Sequence, residues 1–327
     1  MTKILKAGLI GCGDYLRWET DEINNSRYFS LKSTYDLDPV KSRAIASKTG
    51  ALPVNSPEAI FEDEEISIVL IYTPPWSRKE LFHKATAKGK HIITTKPFGT
   101  SLENARVLGD LVKDRVNCSV FYGRTGNASV EQLKKILDDG RIGRLALYKE
   151  DWLHHYPVWN EWATDPEKNG GPFMDAMIHN LNKSRYLINS PVKKMSFVSE
   201  NYAQKLRCRD TEFMKIDFEN GASSWLFITW AADLEVFDPT GNDRVHFGVL
   251  HMITDQGWYI TEEEQEGKQI IRAVKEKEVM TWEVEPLPFT RYDKFVVNLQ
   301  EGKPQSSDYT DAIKDMEIMA KAVNQGF

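Results

Sequence analysis

The first 120 residues of the chain alternate short apolar segments with longer polar segments that resemble helices. The apolar segment from Ile4 to Ile10 runs directly into Gly11-Cys12-Gly13. A second apolar segment, Phe29 to Tyr35, follows a polar stretch from Asp14 to Asn25 that we expect to be helical. Parallel neighbouring strands need a long crossover connection, usually a helix, so this alternation predicts a parallel α/β sheet.

Three further apolar segments continue the pattern, at residues 66–72, 91–95 and 116–122. Thr73-Pro74-Pro75 ends the first of them, because proline cannot continue a strand ladder. We expect six strands with intervening helices, which is a Rossmann arrangement. A first domain over residues 1–123 is therefore predicted to bind a dinucleotide, with the domain boundary near Gly123 to Gly126.

The pattern changes in the second half of the chain. Helices are predicted over 129–139, 172–187 and 307–324, and strands with short turns over 192–285. The segments 213–218 and 223–230 flank Asn220-Gly221, which is a typical hairpin turn. Consecutive strands without crossover helices predict a large open, mainly antiparallel sheet. Residues 124–327 are thus expected to form an α+β domain for substrate binding and oligomerisation.

Charge and cysteine content exclude several classes of protein. A net charge of −6 without runs of Lys and Arg argues against binding to nucleic acid or to an anionic membrane surface. We find neither an apolar stretch of the ~20 residues that span a bilayer nor a signal-peptide pattern at the N-terminus. Cys12, Cys118 and Cys208 are widely spaced, which suits reduced, buried thiols and neither a disulfide framework nor a zinc site. A cytoplasmic location is expected.

Gly11 and Gly13 follow the first strand directly, where small residues let backbone N–H groups approach a pyrophosphate. The third position of the usual glycine pattern is Leu16, so an ordinary strand–helix turn is the alternative. Asp36 ends the second strand, where an acid pairs with the ribose hydroxyls of the adenosine; the alternative is a turn residue. A carboxylate there favours NAD over NADP, although Lys41 and Arg43 are near in sequence.

Lys96, Asp175 and His179 are the candidate chemical groups. Lys96 lies at the end of a strand, next to Pro97, and Asp175 and His179 are four residues apart in a predicted helix, which places them on one face. Each also has a structural explanation: a surface lysine, an acid in the first turn of a helix, and a histidine satisfied in the core.

Seven segments of the chain, in order and with their spacing, resemble the Gfo/Idh/MocA oxidoreductase family, which includes glucose–fructose oxidoreductase and inositol dehydrogenases. The segments are Gly8–Gly13, Tyr35–Pro39, Tyr72–Pro75, Gly89–Pro97, Gly140–Gly143, Gly170–Asp175 and His179. The family's Glu-Lys-Pro element reads Thr95-Lys96-Pro97 here. Its Asp-x-Gly-x-His element has Met177 in place of glycine, and Trp76 to Arg78 replace the family's Asn-His pair.

The resemblance implies that a secondary hydroxyl is oxidised by hydride transfer to a nicotinamide, or that a ketone is reduced in the reverse direction. His179 would act as the base, since a histidine usually titrates near neutral pH. Lys96 would stabilise the developing charge on the substrate oxygen, and Asp175 would orient the substrate or the histidine. The implied cofactor-binding residues are Gly11, Gly13, Asp14, Tyr15, Asp36, Thr73, Pro74 and Lys96.

An aromatic and histidine cluster comes before Asp175. Its members are Trp152, His154, His155, Tyr156, Trp159 and Trp162. Aromatic faces and hydrogen-bonding edges suit a sugar or cyclitol, and packing within the core or an interface is the alternative. The expected substrate-binding residues are Tyr122, Arg124, Trp152, Tyr156 and Trp159, and no metal site is expected.

The first functional hypothesis is a sugar or cyclitol dehydrogenase or reductase that acts on a small polyhydroxylated substrate. Two alternatives are a glycosidase that uses NAD for transient oxidation and a non-catalytic regulator that binds a dinucleotide. We also expect a homodimer or homotetramer that forms through the open face of the C-terminal sheet. Trp225, Phe227 and Trp230 suggest that this face is not fully solvated.

Overall fold

The structure is a computed structural model that describes residues 2–17, 19–153, 161–168, 170–232 and 247–324. The chain divides into two compact units. The N-terminal unit comprises Met1–Gly126 and Leu287–Glu317, and the C-terminal unit comprises Asn127–Pro286 and Ile318–Phe327. The first division lies three residues from the expected boundary after residue 123. The segment 287–317, however, joins the N-terminal unit, whereas the sequence pattern placed it in the second domain.

The N-terminal unit contains a six-stranded, entirely parallel sheet in the order β3-β2-β1-β4-β5-β6. This confirms the predicted Rossmann arrangement. The strand that no apolar segment of the sequence marks is β3, which is only two residues long. The strands are β1 (Leu5–Ile10), β2 (Phe29–Tyr35), β3 (Leu52–Pro53), β4 (Ile66–Ile71), β5 (His91–Thr95) and β6 (Cys118–Phe121).

Five helices connect these strands: α1 (Thr20–Asn24), α2 (Pro39–Thr49), α3 (Glu58–Phe61), α4 (Arg78–Ala87) and α5 (Leu102–Val112). Helix α2 begins where the side chain of Asp38 accepts a hydrogen bond from the Val40 N–H and ends at Gly50. The helix expected over 14–25 is broken into a 3₁₀ turn at Asp14–Arg17 and the short α1. The break lies beside Glu19, whose carboxylate turns inward.

The C-terminal segment joins the N-terminal unit through helix α8 (Arg291–Gln300), which the sequence analysis did not predict. Tyr292, Phe295 and Val296 are buried in the same cluster as the apolar side chains of β1, β2 and β4. Burial of such a side chain contributes roughly 1.5–3 kcal/mol. Together with the hydrogen bond that the Val120 N–H donates to the Ser307 carbonyl, this holds residues 287–317 in place.

The C-terminal unit contains an eight-stranded sheet in the order β14-β13-β12-β11-β7-β10-β9-β8. Only β7 and β10 pair in parallel, so the expected mainly antiparallel sheet is confirmed. The predicted hairpin is β9–β10, with Gly221 at φ 88°. The strands are β7 (Leu145–Leu153), β8 (Val192–Glu200), β9 (Thr211–Phe218), β10 (Ser223–Thr229), β11 (Phe247–Thr254), β12 (Tyr259–Gln265), β13 (Lys268–Lys275) and β14 (Glu278–Glu283).

The two faces of this sheet differ in exposure. Helix α7 (Ile178–Ile188) contacts β7 and β10 on one face, and α6 (Ala128–Asp139) contacts β13. A last helix, α9 (Tyr309–Asn324), contains the division between the units at Glu317. Trp225 and Phe227 are partly exposed, whereas Leu226, Ile228 and Trp230 are buried. Trp230 therefore does not share the open face with the other two aromatics, because strand side chains alternate.

Cys12, Cys118 and Cys208 are all buried and unpaired. Burial raises the pKa of Cys12 and of Cys208 to about 12, and nearby carboxylates add to the shift. The three thiols are thus held in their protonated form at neutral pH. Over the part of the chain that is described, no helix has the length and apolar character needed to cross a membrane.

Candidate active site

The turn after β1 passes close to the end of β4, and Gly11 makes this approach possible. A Cβ atom at position 11 would lie 2.8 Å from the carbonyl carbon and oxygen of Tyr72 and 2.9 Å from the backbone nitrogen of Thr73. The φ angle of Gly11 is 97°, which glycine adopts without strain. Any other residue would push the turn away from β4.

Gly13 differs from Gly11 because the protein itself does not require glycine there. Residue 13 is exposed, and an added Cβ would meet no protein atom within 4 Å. The space is open to a ligand that must approach the backbone closely. Asp14 is exposed and pairs with Arg17 at 3.0 Å in the 3₁₀ turn that follows. Because this turn has only four residues, the long helix predicted to face a pyrophosphate is not present.

Asp36 is fixed to the glycine turn by two hydrogen bonds. Its Oδ2 accepts from the Cys12 N–H at 2.7 Å and its Oδ1 accepts from the Asp38 N–H at 2.8 Å. The carboxylate therefore lies beside the turn after β1 although it follows β2. Asp38 caps α2, and its N–H bond to Asp36 also gives Asp36 the turn role that was the alternative. A contact between Asp36 and a ribose stays a prediction.

Thr73 and Pro74 follow the end of β4. Pro74 is exposed and Thr73 is half-buried. Within the described ranges, the buried Oγ1 of Thr73 has no hydrogen-bond partner. A buried hydroxyl without a partner costs free energy, and such groups are few in folded proteins. Thr73 Oγ1 can therefore form a hydrogen bond with a ligand that binds beside the glycine turn.

Lys96 is half-buried and follows β5 directly. Its backbone N–H donates to the Phe121 carbonyl at 3.3 Å, and its peptide bond to Pro97 is cis. β2, β1, β4 and β5 are neighbours in the sheet. The loops after them carry Asp36, the Gly11 turn, Thr73 and Lys96, so these four features share one edge. Ligands of open parallel sheets bind outside the carboxyl ends of the strands.

Tyr15 belongs to a polar network that the sequence analysis did not predict. Its ring meets the ring of Tyr72 edge-on at 5.0 Å, and its hydroxyl accepts from Arg291 at 3.5 Å. The hydroxyls of Tyr72 and Tyr292 are 2.9 Å apart, and Tyr292 donates to the carboxylate of Glu19. Burial raises the pKa of Tyr15 well above its ordinary value. These contacts account for Tyr15 within the protein, and its role in cofactor binding stays a prediction.

Tyr122 and Arg124, which we expected to bind substrate, lie at the end of β6 in the N-terminal unit and are both buried. The guanidinium of Arg124 pairs with the carboxylate of Asp311 at 3.0 Å and donates to the Ser306 carbonyl at 3.4 Å. Arg124 therefore also ties the C-terminal segment to β6. A substrate-binding role for the two residues stays a prediction.

In the C-terminal unit, the two glycines before Asp175 fix the start of its helix. A Cβ at Gly170 would lie 2.5 Å from the Ala163 carbonyl oxygen, and the Gly171 N–H donates to that oxygen at 2.7 Å. Gly171 has a φ of 134°. Pro172 follows with helical angles and leads into the turn Phe173–Met177. The Gly-Gly-Pro sequence thus lets the chain turn sharply from the 161–164 segment into this helix.

Asp175 and His179 lie in one continuous helical segment, but its geometry is not purely α-helical. Phe173–Met177 forms a π-helical turn, and His179 lies in the first turn of α7. The predicted helix is present, but hydrogen bonds in its π turn join residues five apart and not four, so the shared face of Asp175 and His179 stays a prediction. Both side chains are half-buried. Single π turns inside α-helices are frequent at functional sites.

Glu212 holds the beginning of this helix, and the sequence analysis missed it. The carboxylate, on β9, accepts from the Phe173 N–H at 2.6 Å and from the Ser199 hydroxyl at 3.2 Å. Burial raises the pKa of Glu212 to about 7. Its position in the sequence could have indicated this role. Glu212 lies two residues before Met214 and four before Ile216, so alternation along the strand places it on the same inward-facing side as these buried residues. An acid at an inward-facing strand position needs a partner.

Trp152 is half-buried on the helix-covered face of β7. Its Nε1 donates to the carboxylate of Glu150 at 3.1 Å, and the hydroxyl of Tyr148 donates to the same carboxylate. Lys183 of α7 lies over the ring of Tyr148 at 5.8 Å. Trp152 is thus held by protein groups on the same face as α7, which carries His179. His154, His155, Tyr156 and Trp159 lie outside the described residues, so their predicted roles are untested.

The polar groups and the open space at the edge of the N-terminal sheet fit a dinucleotide. The space beside Gly13 would be filled by a side chain, the Thr73 hydroxyl lacks a protein partner, and the Asp36 carboxylate is held in place. In the portion of the chain that is described, no group of three or more His, Cys, Asp or Glu side chains could hold a metal ion.

Comparison with known protein families follows the same division of the chain. Residues 5–123 match the family described as an oxidoreductase family with an NAD-binding Rossmann fold. Residues 130–246 match the GFO/IDH/MocA C-terminal domain. The chain belongs to the Gfo/Idh/MocA oxidoreductase family. The resemblance found in the glycine turn, the Lys96-Pro97 element and the Asp175–His179 segment is thereby confirmed.

Among curated relatives, the chain is similar to an uncharacterised oxidoreductase, YrbE, of Bacillus subtilis. The two are 26% identical over 229 residues, which cover 68% of this chain and 66% of that protein. The chain is 28% identical over 194 residues to scyllo-inositol 2-dehydrogenase (NAD(+)) of the same organism, covering 57% and 56%. The matches thus span between about half and two thirds of these relatives. A solved levoglucosan dehydrogenase in complex with NADH shares the fold, with a TM-score of 0.80 at 18% identity over 99% of this chain and 98% of that one.

Proposed function

We propose that this protein is an NAD-dependent dehydrogenase or reductase that interconverts a secondary hydroxyl and a ketone on a cyclitol, a sugar or a related polyol. The observation that carries this proposal is the shared edge at which the Gly11 turn, Asp36, Thr73 and Lys96 follow four adjacent strands. The name of the relative scyllo-inositol 2-dehydrogenase (NAD(+)) supports both the cofactor and the substrate class.

NAD is the proposed cofactor, with NADP less favoured. Backbone N–H groups near Gly13 would approach the pyrophosphate, and the carboxylate of Asp36 would accept hydrogen bonds from the ribose hydroxyls of the adenosine. The 2′-phosphate of NADP would instead meet a fixed negative charge. Thr73, Pro74, Asp14 and Tyr15 are proposed to complete the contacts of this edge.

When bound, the nicotinamide supplies a hydride acceptor for oxidation or a hydride donor for reduction. A ring nitrogen of His179 would take the proton from the reacting hydroxyl, and would return it in the reverse direction. The ammonium group of Lys96 would donate a hydrogen bond to the same oxygen and stabilise its developing negative charge. The carboxylate of Asp175 would orient the substrate or the imidazole. After oxidation His179 would release the hydroxyl proton to solvent, and before reduction it would take one up, so the charge of the protein is restored in each full cycle.

The proposed substrate is small and polyhydroxylated, and nucleic acid is not a proposed partner. The indole N–H of Trp152 is bonded to Glu150, which fixes the ring, and we propose that this ring packs against the C–H face of a sugar or cyclitol. Tyr156, Trp159, Tyr122 and Arg124 remain proposed substrate contacts. A cytoplasmic location is proposed from the three unpaired, buried cysteines.

A homodimer or homotetramer is proposed to form through the open face of the C-terminal sheet. Cross-strand pairing places six partly exposed apolar side chains on that face: Val198, Trp225, Val249, Ile253, Tyr259 and Val279. Exposed apolar patches that are rimmed by polar residues mark interaction sites.

Turnover assays test the proposed function directly. Purified protein is incubated with NAD and a panel of cyclitols, sugars and sugar glycosides, while NADH and released sugar are both measured. The proposal predicts net NADH formation with at least one free polyol. Release of sugar from a glycoside without net NADH would instead indicate a glycosidase, and dinucleotide binding without either reaction would indicate a regulator.

A further inference from the structure

Arg78 links the two loops that carry Thr73 and Lys96. It is the first residue of α4, and only 2% of its surface is exposed. Its Nε donates to the carbonyl of Thr73 at 3.0 Å, so it holds the loop after β4. Its Nη1 donates to the carbonyls of Thr95 at 2.8 Å and Pro97 at 2.5 Å, which lie on either side of Lys96.

The guanidinium is a buried cation held by backbone oxygens. A further, longer contact of 3.3 Å reaches the carbonyl of Phe98, and among the residues that the structure describes no carboxylate pairs with Arg78. Burial lowers the pKa of Arg78 to about 9, so the group is still protonated at neutral pH. Desolvating a cation is costly unless hydrogen bonds offset the loss, and the planar guanidinium can reach several carbonyls at once, which an ammonium cannot.

We propose that Arg78 is a positioning residue for dinucleotide binding and for Lys96, because one side chain fixes the loops after both β4 and β5. This inference rests on the proposed function. Arg78 touches neither cofactor nor substrate: it acts through the backbone of Thr73 and of Thr95-Lys96-Pro97. Loss of the guanidinium lets the two loops move independently, so the Thr73 hydroxyl and the Lys96 ammonium no longer hold a common geometry.

Lys90 provides a matched control at the opposite edge of the same sheet. Its side chain is also buried, with 7% of its surface exposed, and its Nζ donates to the carbonyls of Asp63 and Ile66, each at 2.7 Å. These carbonyls lie before β4 and at its first residue, so Lys90 fixes the amino ends of the strands. Arg78 and Lys90 thus make similar buried contacts, but only Arg78 lies at the edge where ligands bind.

The test compares Arg78→Met, Arg78→Lys and Lys90→Met with the wild type. Kd for NADH is measured by fluorescence titration well below the Tm of each variant. We expect Kd to rise about tenfold or more in Arg78→Met, because binding must then also order the two loops, and by a smaller factor in Arg78→Lys. Lys90→Met is expected to lower Tm while Kd stays within about twofold of the wild-type value.

Turnover supplies a second readout that a purely structural role would not change. Arg78→Lys is expected to lower kcat in the wild-type background. The same substitution should lower kcat less in a Lys96→Ala background, because Arg78 acts on turnover by positioning the Lys96 side chain, which is then absent. If Arg78→Met does not fold, the Kd and kcat of Arg78→Lys decide the matter.

A wild-type protein that does not bind NADH would contradict the proposed function. If the wild type binds NADH and the Arg78 variants bind it equally well, with only Tm lowered, the positioning role is overturned and the proposed function stands. An equal loss of NADH affinity in Lys90→Met and Arg78→Met would also overturn it, because the effect would then not be specific to the binding edge.

Discussion

The carboxylate of Asp36 accepts a hydrogen bond from the backbone N–H of Cys12 at 2.7 Å, which ties the end of β2 to the glycine turn after β1. The second oxygen accepts from the Asp38 N–H at 2.8 Å. Because both oxygens are held, the negative charge stays at one place beside the turn. The proposed preference for NAD over NADP rests on this fixed charge.

Replacing Asp36 by Asn removes the charge and keeps the size of the side chain. We expect the ratio of the NADP and NAD dissociation constants to fall about tenfold, because the 2′-phosphate no longer meets a carboxylate. Fluorescence titration with both cofactors measures the ratio. Asp38→Asn is the matched control, since Asn also caps a helix and Asp38 is exposed. An unchanged ratio in Asp36→Asn, or tighter NADP binding by the wild type, would remove Asp36 from the site.

Arg291 is expected to be essential for the stability of the N-terminal unit. Its guanidinium pairs with the buried carboxylate of Glu19 and, at 2.7 Å, with Glu22. Arg291→Met leaves Glu19 buried without its cation, and breaking a buried pair costs about 3 to 5 kcal/mol. Arg106, which pairs with Glu317 at the surface, is the control, and Arg106→Met is expected to cost less than about 1 kcal/mol. Urea unfolding measures both, and equal losses would contradict the assignment.

Glu212 is expected to make stability depend on pH. Burial raises the pKa of Glu212 in the folded state to about 7, above the ordinary value for an unfolded chain. Between these two values the folded state binds more protons than the unfolded state. The contribution of Glu212 to the free energy of unfolding is therefore most favourable at low pH and decreases as pH rises through the window.

The neutral variant Glu212→Gln removes this dependence. Relative to the wild type, its free energy of unfolding should increase by about 2 kcal/mol between pH 5 and pH 8. Urea unfolding of both proteins across this range measures the difference, in which the titrations of all other groups cancel. A difference that stays constant with pH would show that Glu212 does not titrate in this window.

Much of the fold could be read from local pattern. The glycine turn, the apolar strands and the hairpin at Gly221 are set by neighbouring residues, so their signals lie close together in sequence. The position of α8 could not be read in this way. Tyr292 packs against strands more than 200 residues earlier in the chain, and nothing near it in sequence marks that partner.

In the candidate site, too, features set by neighbouring residues could be predicted, and contacts between distant residues could not. The residues of the binding edge follow strand ends and could be predicted from them. The roles of Glu212 and Arg78 depend on backbone atoms of segments that are distant or irregular, such as the Phe173 N–H in its π turn. The π turn itself has no periodic signature, because a helix of this length predicts α-helical spacing by default. Trp230 was misplaced for a simpler reason, namely the alternation of side chains in a strand.

Self-association through the open face of the C-terminal sheet is expected from its exposed apolar side chains. Trp225→Glu places a charged group on this face, at the position that pairs with Lys149 of β7 and Lys215 of β9. The wild type should sediment as a dimer or tetramer of the 37.5 kDa chain at micromolar concentration, and the variant should shift toward monomer. Ile4→Glu, an exposed apolar position in the N-terminal unit, is the control. A wild-type monomer would refute the proposed assembly.

The most direct test of the proposed function is the turnover of His179→Asn beside that of the wild type. With NAD and an oxidisable polyol from the panel, the wild type should form NADH, and kcat of the variant should be lower by roughly 10² or more, the usual contribution of a positioned acid–base group. The Kd for NAD and the Tm are measured on the same samples and should change little. A variant with lowered Tm and near-normal kcat would contradict the account, because His179 would then serve packing and not proton transfer.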